Sequence, residues 1–247
     1  MICLIVDEMK FEIPCQGNEK LEKVVRNICE HRELEGFMRS ANVNAMNRLR
    51  YSDHGSTHLK IVANAALKIL RILSEEGVTP NLMKDYDFPQ EDAEVVVVLG
   101  AVLHDIGMAV HREDHDLMSI SIAINLLGDL LDGVYGGVKK GILTSEVLGA
   151  MFPHDGRSEP LTVEAGILGI ADALDMAEGR ARIPFESGKI DIHSISAMSI
   201  TGVEINEGVE NEKPVQIKIH MKNNAGLFQV DELLKKKVLA SGLEEYL

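Results

Sequence analysis

The segment VVVVLGAVL, residues 95–103, is the strongest constraint on what this chain can become. A run this aliphatic belongs in a core, because each Å² of apolar surface left in water forfeits roughly 25 cal/mol. It is far too short to cross a bilayer, which takes about 20 apolar residues. It also ends abruptly on His104 and Asp105. Burying ionisable groups is costly unless they are paired. Two readings follow. The pair can mark a helix C-terminus, where an imidazole meets the carbonyl ends, or it can belong to a polar centre whose other members come from elsewhere in the chain.

The surrounding pattern favours a helix over residues 91–106, with Gly107 as its C-cap. VVVVL alone would also suit a core strand, but length and the Ala and Leu that follow favour helix. Upstream, residues 1–14 alternate weakly and suggest a short hairpin, and residues 19–49 read as two helices broken near Gly36. A further helix opens at SDHGSTHLK, where Ser52, Asp53, Ser56 and Thr57 are candidate N-caps. Residues 77–92, with Pro80 and Pro89, read as a loop. Helices are expected over 114–131, up to the MFPHDGR turn, and over 162–178.

Beyond Pro184 the period changes. KIDIHSISAMSI and PVQIKIHMK alternate apolar and polar residues, as half-buried strands do, and DELLKKKVLASG closes as a helix stopped by Gly242. The expected fold is mainly α. A helical bundle, with the possible hairpin, occupies residues 1–185, and a small α+β appendage occupies 186–247.

Composition narrows the function classes. Trp is absent and aromatics make up 4%, so the core rests on aliphatic residues, Met and Ala. A formal charge of −14 excludes an extended nucleic-acid surface, which needs clustered Lys and Arg. It leaves room for a small phosphorylated substrate, because a bound divalent cation reverses the local field. Cys3, Cys15 and Cys29 are odd in number with no CxxC spacing, as expected of reduced thiols in the cytoplasm. Neither a membrane span nor a basic leader is expected. The alternating strands can pair within the chain or across a homo-oligomer.

The chemistry-bearing residues fall in a definite order. His58 lies in the first turns of one expected helix, four residues after His54; His104 and Asp105 close the next; His115 opens another; His154 stands at a PHDG turn; and Asp172 sits within the apolar LGIADALDM. Each helix thus offers metal-binding groups beside an apolar stripe. Imidazole with carboxylate suits Mn, Fe, Co, Ni or Zn better than an all-oxygen Mg or Ca cage. Taken singly, His115 and His154 also fit a charged surface run and a turn, and Asp53 is an N-cap.

The order His58, His104-Asp105, Asp172 resembles the H…HD…D signature of the HD superfamily of metal-dependent phosphohydrolases, over roughly residues 50–180. That resemblance implies a first ion on His58, His104, Asp105 and Asp172. It implies a second on His115 and His154, bridged by Asp105, with a water acidified by the ions attacking phosphorus. His54 and Asp105 are the catalytic candidates, and Arg180 is the candidate for substrate phosphate if the helix of Asp172 continues that far. The expected reaction is hydrolysis of a phosphomonoester or phosphodiester of a nucleotide. No GYP follows the His-Asp pair, and IGMAV replaces the Glu-Asp expected of alarmone hydrolases, so the substrate stays open. Two alternatives share the ligand set: a di-iron oxygenase, and a non-catalytic nucleotide sensor.

Overall fold

The computed structural model describes residues 11–177, 192–209 and 213–247. Its centre is α5 (Gln90–Leu103), in which every residue from Asp92 to Leu103 is buried. A helix apolar on all sides must be surrounded. It packs against α1 (Glu19–Glu30), α3 (Ser56–Glu75), α7 (Gly137–Met151) and α8 (Val163–Leu174). Each neighbour turns a stripe toward it. In α1 the stripe is Leu21, Val24 and Ile28; in α3 it runs from His58 and Leu59 through Val62, Ala66, Leu70 and Leu73.

The two buried carboxylates at the start of α5 are partnered. The Asp92 carboxylate accepts from Lys20 Nζ at 2.6 Å and from the Tyr135 hydroxyl, and Glu94 accepts from Arg71 and Asn18. Burial and the Asp92 carboxylate together push the Tyr135 hydroxyl pKa upward.

Several expectations are corrected. The break between α1 and α2 (Arg32–Asn42) falls at His31, not Gly36. His31 takes an extended backbone and its Nδ1 accepts from Leu34 N–H, capping α2, while Gly36 stays on the exposed helix surface. A π-turn, Val43–Arg48, follows. None of the candidate N-caps caps α3: the N-cap is Gly55, and Asp53 instead accepts from Gly55 N–H in a turn before the helix. The expected loop 77–92 contains α4 (Asn81–Tyr86), whose first N–H groups donate to the Glu164 carboxylate of α8. Its cap lies about eighty residues away in sequence, so no local signal announces it.

Gly107 is not a C-cap either. α5 ends at Leu103, and Gly107 lies in a 3-10 turn, Ile106–Ala109, where the chain runs against α6 (His115–Leu130). A Cβ there would sit 1.9 Å from the His115 carbonyl oxygen. Helix α8 stops at Leu174, which places Asp172 in its last turn rather than mid-helix.

In the C-terminal region the described part of KIDIHSISAMSI, from Ile192, departs from the expected strand. Residues Ile192–Ala197 form α9, and the strand begins at Ile200. Ser196 is buried and accepts from Gln229 Nε2 at 2.7 Å, a tertiary contact that overrides the alternation. β1 (Ile200–Glu207) pairs antiparallel with β2 (Val215–Met221), and Ile205 faces Ile217. A helical run, α10 (227–240), follows, with Gly242 at φ +74 and a 3-10 turn, Glu244–Tyr246, beyond it. Ile200, Val215, Leu234 and Leu243 belong to the same apolar core as α5. The greater part of the expected hairpin, the 185/186 boundary and Arg180 lie outside the described residues, as does Cys3; Cys15 and Cys29 are free thiols. Among the described residues no helix is long and apolar enough to cross a membrane.

Candidate metal centre

Helix ends supply the groups. His54 precedes α3, and His58 lies in its first turn; His104 and Asp105 follow α5. His115 begins α6, His154 follows α7, and Asp172 stands in the last turn of α8. The packing of these helices on α5 brings all seven side chains together around Asp105, which is 4% exposed.

The two Asp105 oxygens face different partners. Oδ2 lies 3.3 Å from His58 Nε2, 3.4 Å from His104 Nε2 and 3.9 Å from His54 Nε2. Asp172 Oδ1 joins that side, 3.5 Å from His58 Nε2 and 3.7 Å from His104 Nε2. Oδ1 of Asp105 lies 3.2 Å from His115 Nε2 and 3.5 Å from His154 Nε2. The imidazoles on each side approach closely: Nε2 to Nε2 is 3.3 Å for His58 and His104, and 3.3 Å for His115 and His154.

The opposite ring nitrogens explain the arrangement. Nδ1 of His104, His115 and His154 lies within 3.0 Å of the carbonyl oxygens of Ala101, Arg112 and Met151, and Nδ1 of His54 lies 2.8 Å from Ser52 O. A carbonyl only accepts, so these Nδ1 atoms carry the hydrogen and donate it. Nδ1 of His58 likewise faces the Asp175 carboxylate at 2.6 Å. In the neutral rings every Nε2 lone pair then points inward. Lone pairs and carboxylates packed this closely repel one another unless protons or a cation lie between them. Burial disfavours charge on His104, yet Asp105 and Asp172 outweigh it and push its pKa up to about 10. The same contacts hold Asp105 and Asp172 well below the usual carboxylate range, against the opposing effect of burial. A mixed set of imidazole nitrogen and carboxylate oxygen fits a divalent transition ion, and hydrogen-bonded Nδ1 groups are what metal-ligating histidines show. His58, His104 and Asp172 form one group with ligand atoms within 4.8 Å of one another, and His104, Asp105 and His154 form a second.

Three contributors escape a reading of the sequence. Asp175, the C-cap of α8, orients His58; the DALD spacing after Asp172 is its one visible sign. Asn44 donates to the carbonyls of Met108 and Ala109 and so secures the turn after Asp105. Arg157, which reads as a surface charge, bonds Asp114 and Asp116 beside His115 and also Asp155 beside His154. It ties together the two chain segments that carry those histidines.

A helical protein with a buried histidine–aspartate centre of metal-binding type is the class that this fold and site define. The family model for the HD domain matches residues 55–177. The chain is also 42% identical over 231 residues to the uncharacterized protein MJ1020 of Methanocaldococcus jannaschii, covering 94% of this chain and 88% of that one. No solved structure matches. The chain belongs to the HD domain family, whose members point to metal-dependent, hydrolase-type activity. His54 lies one residue before the matched segment.

Proposed function

We propose that this protein is a metal-dependent phosphohydrolase, cleaving a phosphomonoester or phosphodiester of a nucleotide. The observation that carries the reading is the division of Asp105, one oxygen toward His58, His104 and Asp172 and the other toward His115 and His154. His58, His104, Asp105 and Asp172 would hold one ion, and Asp105, His115 and His154 a second. When bound, such ions acidify water toward neutral pH and neutralise charge developing on a phosphoryl group.

The chain's own residues do the rest. The Nδ1 hydrogen bonds fix each ring's orientation, so the ligand atoms are set before substrate arrives. His54 is held by Ser52 O on one side and faces Asp105 on the other, within reach of a proton at the edge of the first group. The core around α5 keeps bulk water from the rear of the centre.

Elemental analysis of protein purified without chelator or metal-affinity resin, with Asp105→Ala in parallel, tests the reading. About two equivalents of Mn, Fe, Co, Ni or Zn are expected, lost in the variant together with hydrolysis of phosphate esters. Activity retained in Asp105→Ala would sink the proposal.

A further inference from the structure

The C-terminal run lies outside the family match, yet it packs on α8, the helix that carries Asp172. Leu234 and Leu243, at either end of its last turns, are buried in the main core. Gly166 of α8 lets the following backbone come close: a Cβ there would sit 2.6 Å from Ser241 O and 3.3 Å from the Leu243 side chain. The run is therefore held against the helix that carries Asp172.

Lys237 follows Leu234 by three residues and so falls on the same side of the helix. It is half-buried, while Lys235 and Lys236 beside it are exposed. Its ammonium lies 3.8 Å from the point that a Cβ would occupy on Gly156, two residues beyond His154. Its charge also favours the ionised form of Asp172. Among the described residues no carboxylate comes within 4.0 Å of it. The other cation of that loop, Arg157, is already engaged by three aspartates.

Electrostatics indicates what this lysine is for. Once two divalent ions occupy the centre, their four positive charges exceed the three negative ones of Asp105, Asp172 and Asp175. A half-buried ammonium then faces a net positive field and is stabilised by an anion brought from outside. We propose that Lys237 holds an anionic oxygen of the substrate's phosphate, so that the C-terminal segment supplies part of the substrate site. This rests on the phosphohydrolase reading and narrows it. A compact ammonium point charge favours the terminal phosphate of a monoester, which carries close to two charges at pH 7, over a singly charged diester.

The test uses the full chain loaded with Mn²⁺ and titrated with inorganic phosphate by calorimetry, beside steady-state hydrolysis of 4-nitrophenyl phosphate and bis(4-nitrophenyl) phosphate. Lys237→Met is expected to weaken phosphate binding about tenfold and to raise KM for the monoester similarly, with kcat and metal content held. Lys237→Arg should retain most of the binding, and exposed Lys235→Met should match the wild type. Unchanged phosphate affinity in Lys237→Met overturns the inference alone. Loss of metal with normal helicity also overturns it, because the lysine would then serve only the ligand carboxylates. Should Lys237→Met fail to fold, a Lys237→Gln variant with normal phosphate affinity and an unshifted KM for the monoester overturns the inference instead. A wild-type protein that takes up no metal defeats the phosphohydrolase reading and this inference with it.

Discussion

Asp105 organises the centre because a carboxylate has two oxygens and this one shows each to a different pair of imidazoles. The residues behind the rings matter nearly as much. Asp175→Asn keeps the shape of its side chain but removes the charge that polarises His58. Metal affinity should fall roughly 10–100-fold, read by competition with a chromogenic chelator, while stoichiometry at saturation stays the same. Arg157→Ala should act on the other side, loosening the segments of His115 and His154. Elemental analysis should then approach one equivalent in place of two, with the ion at His58, His104 and Asp172 retained. The acid–base sign is also set at this scale. His104 has its pKa pushed up to about 10, so an incoming ion must displace its proton. Apparent metal affinity should therefore rise with pH and weaken as pH falls, and calorimetry in buffers of different ionisation enthalpy should show proton release.

Between elements, the centre depends on close backbone approaches that no side chain can replace. The Gly107 turn lies so near the first turn of α6 that a Cβ would meet the His115 carbonyl at 1.9 Å, and backbone on both sides leaves little room to yield. Gly107→Ala should cost on the order of 3 kcal/mol in denaturant unfolding and displace His115, lowering metal content. Helix α5 is the mechanical reference for the other elements, since α1, α3, α7 and α8 all pack on it. Truncating Leu99, which is fully buried, should cost about 2–5 kcal/mol, the range for leucine cavities in a close-packed core.

For the whole molecule, folding and metal binding are one equilibrium. The ligands come from residues 58 to 172, so an unfolded chain cannot bring them together and the ion binds the native state alone. Free metal at a hundredfold excess over Kd should add about 2.7 kcal/mol of stability. For a chain of 247 residues that corresponds to a rise in Tm of roughly 5–10 °C, reversed by chelator and absent in Asp105→Ala.

The sequence by itself determined the helical class and the residues that meet at the centre. A buried aliphatic run makes α5 central whatever surrounds it; His58, His104, Asp105, His115 and His154 declare themselves by residue type and by position near expected helix ends, and Asp172 as a carboxylate among apolar neighbours. These are local properties, set by spacing along one helix. What the tertiary structure decided depends on contacts between distant segments. Glu164 starts α4 from α8, Gln229 helps make 192–197 a helix despite its alternation, and Asp175 orients His58 across 117 residues. Arg157 ties two loops together, and Lys237 comes to the loop after His154 because Gly166 admits the backbone beyond it. Such partners carry no periodic signature. A side chain's role there follows from which surfaces the core brings face to face, and only the packed chain specifies that.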